Sequence, residues 1–109
     1  MTVKITHLFE PLPKDLTEEV FTDLVQTDTM RIVRIVSHGQ TSPESGWYDQ
    51  IDHEWVVVLK GAATLTFEQG DDITLRPGDS IQIPAHTKHR VSWTDPTMET
   101  IWLAVHYHT

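Results

Sequence analysis

Cysteine is absent from the 109-residue chain. Disulfides, thiolate metal sites and a cysteine nucleophile go with it. Basic residues are scarce: 8 lysines and arginines stand against 16 aspartates and glutamates, a formal net charge of −8. Partners built on a phosphate backbone need a basic surface, so nucleic acid is not expected. Long apolar runs are missing too. Nothing approaches the roughly 20 consecutive apolar residues that cross a bilayer. The N-terminal stretch "MTVKITHLFEPLPKDL" has neither an apolar core nor a small-residue cleavage site, so no secretory signal and no membrane partner are expected, and a cytoplasmic protein is the default. What remains is ordinary globular composition, 39% hydrophobic and 22% charged. That is enough for one domain with a real core and too little for two.

Residues 1–29 read differently from the rest. "LFEPLP" has two prolines and reads as an extended arm. In "DLTEEVFTDLV", Leu16, Val20, Leu24 and Phe21 fall on one helical face, with Asp15 or Thr17 placed to cap it. The spacing predicts a short helix packing on the main body. From residue 30 to 109 nearly everything reads as strand. "MRIVRIVSH" is rich in β-branched residues, and "EWVVVLKG" is an apolar run closed by glycine. "ATLTFEQ" alternates, with Ala63, Leu65 and Phe67 on one side. The segments "GDD", "PGD" and "TDPTM" punctuate further short strands. The fold class is therefore all-β: an antiparallel sandwich or small barrel with an N-terminal arm and helix.

Chemistry is concentrated in "RPGDSIQIPAHTKHRVSW". Along "KHRVSW", His89, Val91 and Trp93 share one parity, while Lys88, Arg90 and Ser92 share the other. The two charges and the hydroxyl belong outside, so His89 is expected inside with Val91 and Trp93. A buried imidazole needs partners for its nitrogens, which are protein groups, a metal or a ligand. His86 sits in the turn after Pro84, where parity is silent. Glu54 opens the apolar strand, and Tyr48, Gln50 and Asp52 share its parity if the strand is regular that far back.

These two segments resemble the cupin superfamily. Glu54 and Gly61 match the glutamate, six residues, glycine ending of its first motif. Gly78, Pro84 and His89 match the second motif, with His86 where a second glycine is usual and Trp93 where asparagine is frequent. Together with "WYDQ" and "WLAVHY", the pattern over about 30–107 is similar to small single-domain bacterial cupins, some carrying sugar-phosphate isomerase names. The resemblance implies a jelly-roll β-barrel whose interior holds a divalent transition metal (Zn, Ni, Fe or Mn) on three histidines and a glutamate. Here the positions of the first two histidines fall on Tyr48 and Gln50. The implied metal set is then Tyr48, Gln50, Glu54 and His89, weakened by the exchange of two imidazoles for a phenol and an amide.

Other histidines are read more plainly. His53 lies on the opposite parity to Glu54 and faces outward; taking it as a ligand would break the Glu54–Gly61 spacing. His38 stands at a turn, His7 and His108 lie near the ends, and His106 shares parity with Ala104 and Trp102 and reaches inward as a structural histidine. Trp47, Trp55, Trp93 and Trp102 are packing residues first. Three functions stay open: a metal-dependent isomerase or oxygenase-type enzyme with Glu54 and His89 as catalytic groups, a non-catalytic binder of a small polar ligand, and a structural homodimeric barrel.

Overall fold

The computed structural model describes residues 3–42 and 46–108. Eight strands follow one another: β1 (Val20–Gln26), β2 (Met30–Ser37), β3 (His53–Lys60), β4 (Ala63–Phe67), β5 (Asp72–Leu75), β6 (Ser80–Ile83), β7 (His89–Thr94) and β8 (Thr100–Tyr107). They form two antiparallel sheets, ordered β1-β2-β8-β3-β6 and β5-β4-β7. The apolar residues of period two explain the stacking. Val56, Val58, Ile83, Trp102 and Ala104 from the larger sheet meet Ala63, Leu65 and Leu75 from the smaller one. Burying these side chains, at about 25 cal/mol per Å² of apolar surface, is what holds one sheet on the other. The expected barrel is thus a jelly-roll-like pair of sheets, with no single ladder closing the circuit among the described residues.

The predicted helix does not form. Among the described residues no segment is helical, and Val20–Gln26 is the edge strand β1, paired to β2. The reason is local and tertiary together. Val20, Phe21, Thr22 and Val25 favour an extended chain, and β2 offers them an open edge of hydrogen-bonding groups. Leu24, which suited the helical face, is passed over where the β1–β2 register slips between Asp23 and Val25. Asp15 accepts hydrogen bonds from the backbone and hydroxyl of Thr17, a local turn in place of a cap.

Trp93 is a second departure. His89 is buried and Val91 half-buried, as the alternation requires. Between Thr64 and Leu65 the β4–β7 register slips, so that Thr64 opposes Trp93 and Leu65 opposes Val91. Ser92 is left over as a bulge, its hydroxyl bonded to Thr64 and Thr66. One extra residue flips every later side chain, so Trp93 is 41% exposed and Thr94 is buried.

Gly61 makes the turn that carries the chain from the larger sheet to the smaller one. Its φ is +81°, and a Cβ there would meet the Glu99 carbonyl and the Thr100 Cα at 2.7 Å, besides the Thr100 hydroxyl. That hydroxyl is already bonded to both the N–H and the C=O of Ala62. Backbone clash adds to left-handed strain, so Gly61→Ala is expected to destabilise by at least about 2 kcal/mol. Gly70 and Gly78 have open space around the same position, and alanine there costs only the conformational strain. Urea unfolding midpoints of the three variants check this ranking.

Candidate functional site

Glu54 enters the space between the sheets because β3 alternates. Val56 and Val58 share its face and are buried in the core. His89 opens β7 on the opposite sheet. The two meet with Glu54 Oε1 3.6 Å from His89 Nε2, and their side chains are 12% and 5% exposed. They line a cavity of about 190 Å³. Apolar walls come from Val33, Ile35, Leu65 and Ile83, and Trp102 lies among them.

The orientation of His89 is fixed from both sides. Its ring lies between Tyr48 and Phe67, with centroids 5.6 and 5.9 Å away. Its Nδ1 is 2.8 Å from the Thr87 carbonyl oxygen. A carbonyl can only accept, so Nδ1 carries a proton and donates it. Nε2 is left to face Glu54. A bare lone pair would repel the carboxylate, whereas an Nε2–H attracts it. Burial by itself pushes the His89 pKa down; the Glu54 carboxylate and the Thr87 carbonyl outweigh it, and the group titrates above its usual 6.5. A unit charge pair at this separation attracts by about 4 kcal/mol at an effective dielectric of 20. Desolvating two buried ions costs as much or more. The pair is therefore not explained by stability.

Tyr48 and Gln50 precede β3 in a segment held by backbone hydrogen bonds. Tyr48 and His89 exchange two N–H···O=C bonds, at 2.8 and 3.2 Å, and the His86 N–H donates to the Gln50 carbonyl. His86 has a φ of +61° and its Nδ1 lies 2.9 Å from Asp49 Oδ1. It takes the backbone position that glycine usually fills and fastens the Tyr48–Gln50 segment to the β6–β7 turn. Both Tyr48 and Gln50 line the cavity, although Tyr48 remains 42% exposed. His53 faces away: its cross-strand neighbour is Tyr107, and its Nδ1 accepts from the Ala85 N–H. His7, His38 and His108 are exposed, and His108 pairs with Asp52.

His106 has a larger part than its sequence position suggested. It stands directly across from Glu54 on β8, and its Nε2 is 3.9 Å from Glu54 Oε2. The carboxylate thus lies between two imidazoles. Arg31 and Glu19, not singled out by the sequence, also line the cavity. Arg31 faces inward with Val33 and Ile35, but Arg34 in the same strand faces the other way, and alternation alone could not choose between them. Glu19 is held by the Ser37 hydroxyl at 2.6 Å, which in turn accepts the Trp102 indole N–H.

The donor set fits a resident transition metal poorly. Among the described residues no three His, Asp or Glu groups are arranged to hold an ion. Glu54 and His89 are two donors of the four expected, and the places of the other two carry a half-exposed phenol and an amide. Both are weaker donors than an imidazole for zinc, nickel or iron. The expectation of a metal on Tyr48, Gln50, Glu54 and His89 therefore gains the convergence of these side chains but not a coordination site.

A family model for the cupin domain matches residues 33–106. A Ralstonia eutropha protein, provisionally designated a mannose-6-phosphate isomerase, is 41% identical over 98% of this chain and 100% of its own, with a TM-score of 0.93. A cupin superfamily protein of Desulfitobacterium hafniense aligns over the whole of both chains at 20% identity and a TM-score of 0.74. An RmlC-like cupin of Methanocaldococcus jannaschii with a double-stranded β-helix fold aligns over 98% of this chain and 92% of its own, at 21% identity and a TM-score of 0.72. The last two speak for the fold alone. No curated protein matches the chain. The family match over most of the length, with the glutamate and histidine of its two motifs meeting in one cavity, establishes that the chain belongs to the cupin family.

Proposed function

We propose that this cupin binds a small polar metabolite between its sheets and moves a proton on it, with Glu54 as base and His89 as acid. The observation that carries the reading is the buried Glu54–His89 contact at the cavity wall. It places a proton acceptor and a proton donor within reach of one small molecule. On a 2-hydroxy carbonyl compound the balance is simple. The Glu54 carboxylate takes the proton from the carbon beside the carbonyl, and the His89 Nε2–H gives its proton to the carbonyl oxygen, leaving an enediol. Glu54 then returns its proton to the former carbonyl carbon while the neighbouring hydroxyl gives its proton back to His89 Nε2, which leaves the isomerised carbonyl compound and both residues as they began. The similarity to the Ralstonia eutropha protein supports a sugar or sugar phosphate as the finer choice of substrate. Gln50 and Tyr48 would orient its hydroxyls.

A second reading is a binder without turnover. The exchange of two metal-ligand histidines for Tyr48 and Gln50 favours it, because the cavity then keeps its polar contacts and loses the metal. A homodimer belongs to either reading, supported by the apolar outer face of the larger sheet, where Trp55 and Val25 are exposed beside half-buried Ile32 and Val105.

Glu54→Gln decides between catalysis and binding. If Glu54 is the base, exchange of the proton beside the carbonyl of mannose 6-phosphate or fructose 6-phosphate in deuterated buffer falls at least about 100-fold in the variant, while the compound still raises its thermal midpoint. No exchange in the wild type with a retained thermal shift would leave binding as the function.

The same substitution tests the electrostatics. Because the folded-state pKa of His89 is raised, its contribution to stability is full below about pH 6.5, the unfolded value, and is lost as pH rises through the folded value. In an NMR titration the His89 ring resonances are expected to move with a midpoint above 6.5 in the wild type. In Glu54→Gln the midpoint falls, since burial is then opposed only by the Thr87 carbonyl.

A further inference from the structure

We propose that the cavity takes an anionic ligand, a carboxylate or a phosphate monoester, through Arg31 with His106 beside it. The inference rests on reading the cavity as a ligand site and adds the charge class of what enters it. Arg31 is solvent-exposed at the rim of the cavity. Arg31 shares the inward face of β2 with Val33 and Ile35, both in the cavity wall. It is the sole lysine or arginine lining the cavity among the described residues. Its side chain has no hydrogen bond and no ion pair among the described residues, whereas Arg34 donates to the Pro11 carbonyl and Arg90 lies over the Trp47 ring, 4.9 Å from its centroid.

The register puts Arg31 in line with the chemistry. Arg31 pairs with His106 across the β2–β8 ladder, and His106 pairs with Glu54 across the β8–β3 ladder. Directly opposed residues in antiparallel strands point to the same side, so Arg31, His106 and Glu54 form one row across three strands. Arg31 and Glu54 are two strand spacings apart, roughly 10 Å between backbones. An acidic group held by the guanidinium and the His106 ring leaves the next few atoms of the molecule over Glu54 and His89. The same two residues, Arg31 and His106, also border a neighbouring polar cavity of about 340 Å³ formed with the β1–β2 turn. That second cavity also carries Asp28 and Asp52, so Arg31 stands among carboxylates on both sides.

Charge makes the anchor necessary. A chain of net charge −8 repels anions at long range, and Glu19 and Glu54 add two carboxylates to the cavity wall itself. An anion is held there only by a cation close at hand. A guanidinium offers it two parallel N–H donors, which a lysine does not. The plain alternative is that Arg31 is a rim arginine bathed in water, kept for solubility.

Calorimetric titration at pH 7 and low salt, with inorganic phosphate in one arm and acetate in the other, separates the two. The wild type is expected to bind at least one of these probes saturably, and the arm that binds names the acid group. Arg31→Met weakens it at least 10-fold, Arg31→Lys by less, and Arg34→Met does not weaken it. Thermal midpoints of the variants show that they are folded. Absence of saturable binding of either anion by the wild type would overturn the proposal, as would equal binding by Arg31→Met or an equal loss in Arg34→Met. None of these readouts requires turnover. A protein that fails them and still exchanges the proton of a sugar through Glu54 has a catalytic cavity without an anion anchor.

Discussion

One buried contact between the two sheets organises the site. Glu54 comes from β3 and His89 from β7, and the two strands are not hydrogen-bonded to each other. The packing of the sheets brings the carboxylate and the imidazole together, and the Tyr48–Gln50 segment ahead of β3 helps by its backbone bonds to His89 and His86. By area and Coulomb arithmetic such a contact returns about what its desolvation costs. A fold that needed nothing but stability would do as well with two apolar side chains there. What the contact provides instead is a buried carboxylate in reach of two imidazoles, one from β7 and one from β8.

The rest of the structure can be read as support for that contact. Below it, Val56, Val58, Leu65 and Ala104 fill the space between the sheets. Beside it, the Thr87 carbonyl fixes the His89 tautomer, and the Tyr48 and Phe67 rings fix its tilt. The Tyr48–Gln50 segment is tied to β7 and to the β6–β7 turn by backbone bonds and by the His86–Asp49 pair. Arg31 stands at the far end of the same cross-strand row. A polar line thus crosses an otherwise apolar wall, with an imidazole at its centre.

The legible part of the sequence was spacing. Glu54 to Gly61, and Gly78 to Pro84 to His89, fix a strand and two turns tightly enough to identify the fold. Gly61 has a physical reason visible in the structure, since no Cβ fits against Glu99 and Thr100. That Glu54 faces inward is implied by the motif, since Trp55 to Leu59 are all apolar; parity sets His53 opposite it and Ala63 with Leu65. It failed where a ladder slips. Nothing in "HRVSWT" announces that Ser92 is extra, so Trp93 was expected inside and lies outside. The helix expectation failed because Val20–Gln26 fits a helical face almost as well as a strand, and the open edge of β2 decided the matter. Arg31 went unread because "RIVRIV" has one arginine on each face. Only the partner strand tells which face is the cavity.

The most direct test of the central contact is a double-mutant cycle on stability, with Glu54→Gln, His89→Gln and the double variant measured by urea unfolding at pH 6. Buried charges in contact are coupled, and the cycle is expected to return an interaction of about 1–3 kcal/mol. Additive effects within about 0.3 kcal/mol, the behaviour of groups that do not touch, would contradict the convergence of the two side chains and the site built on it.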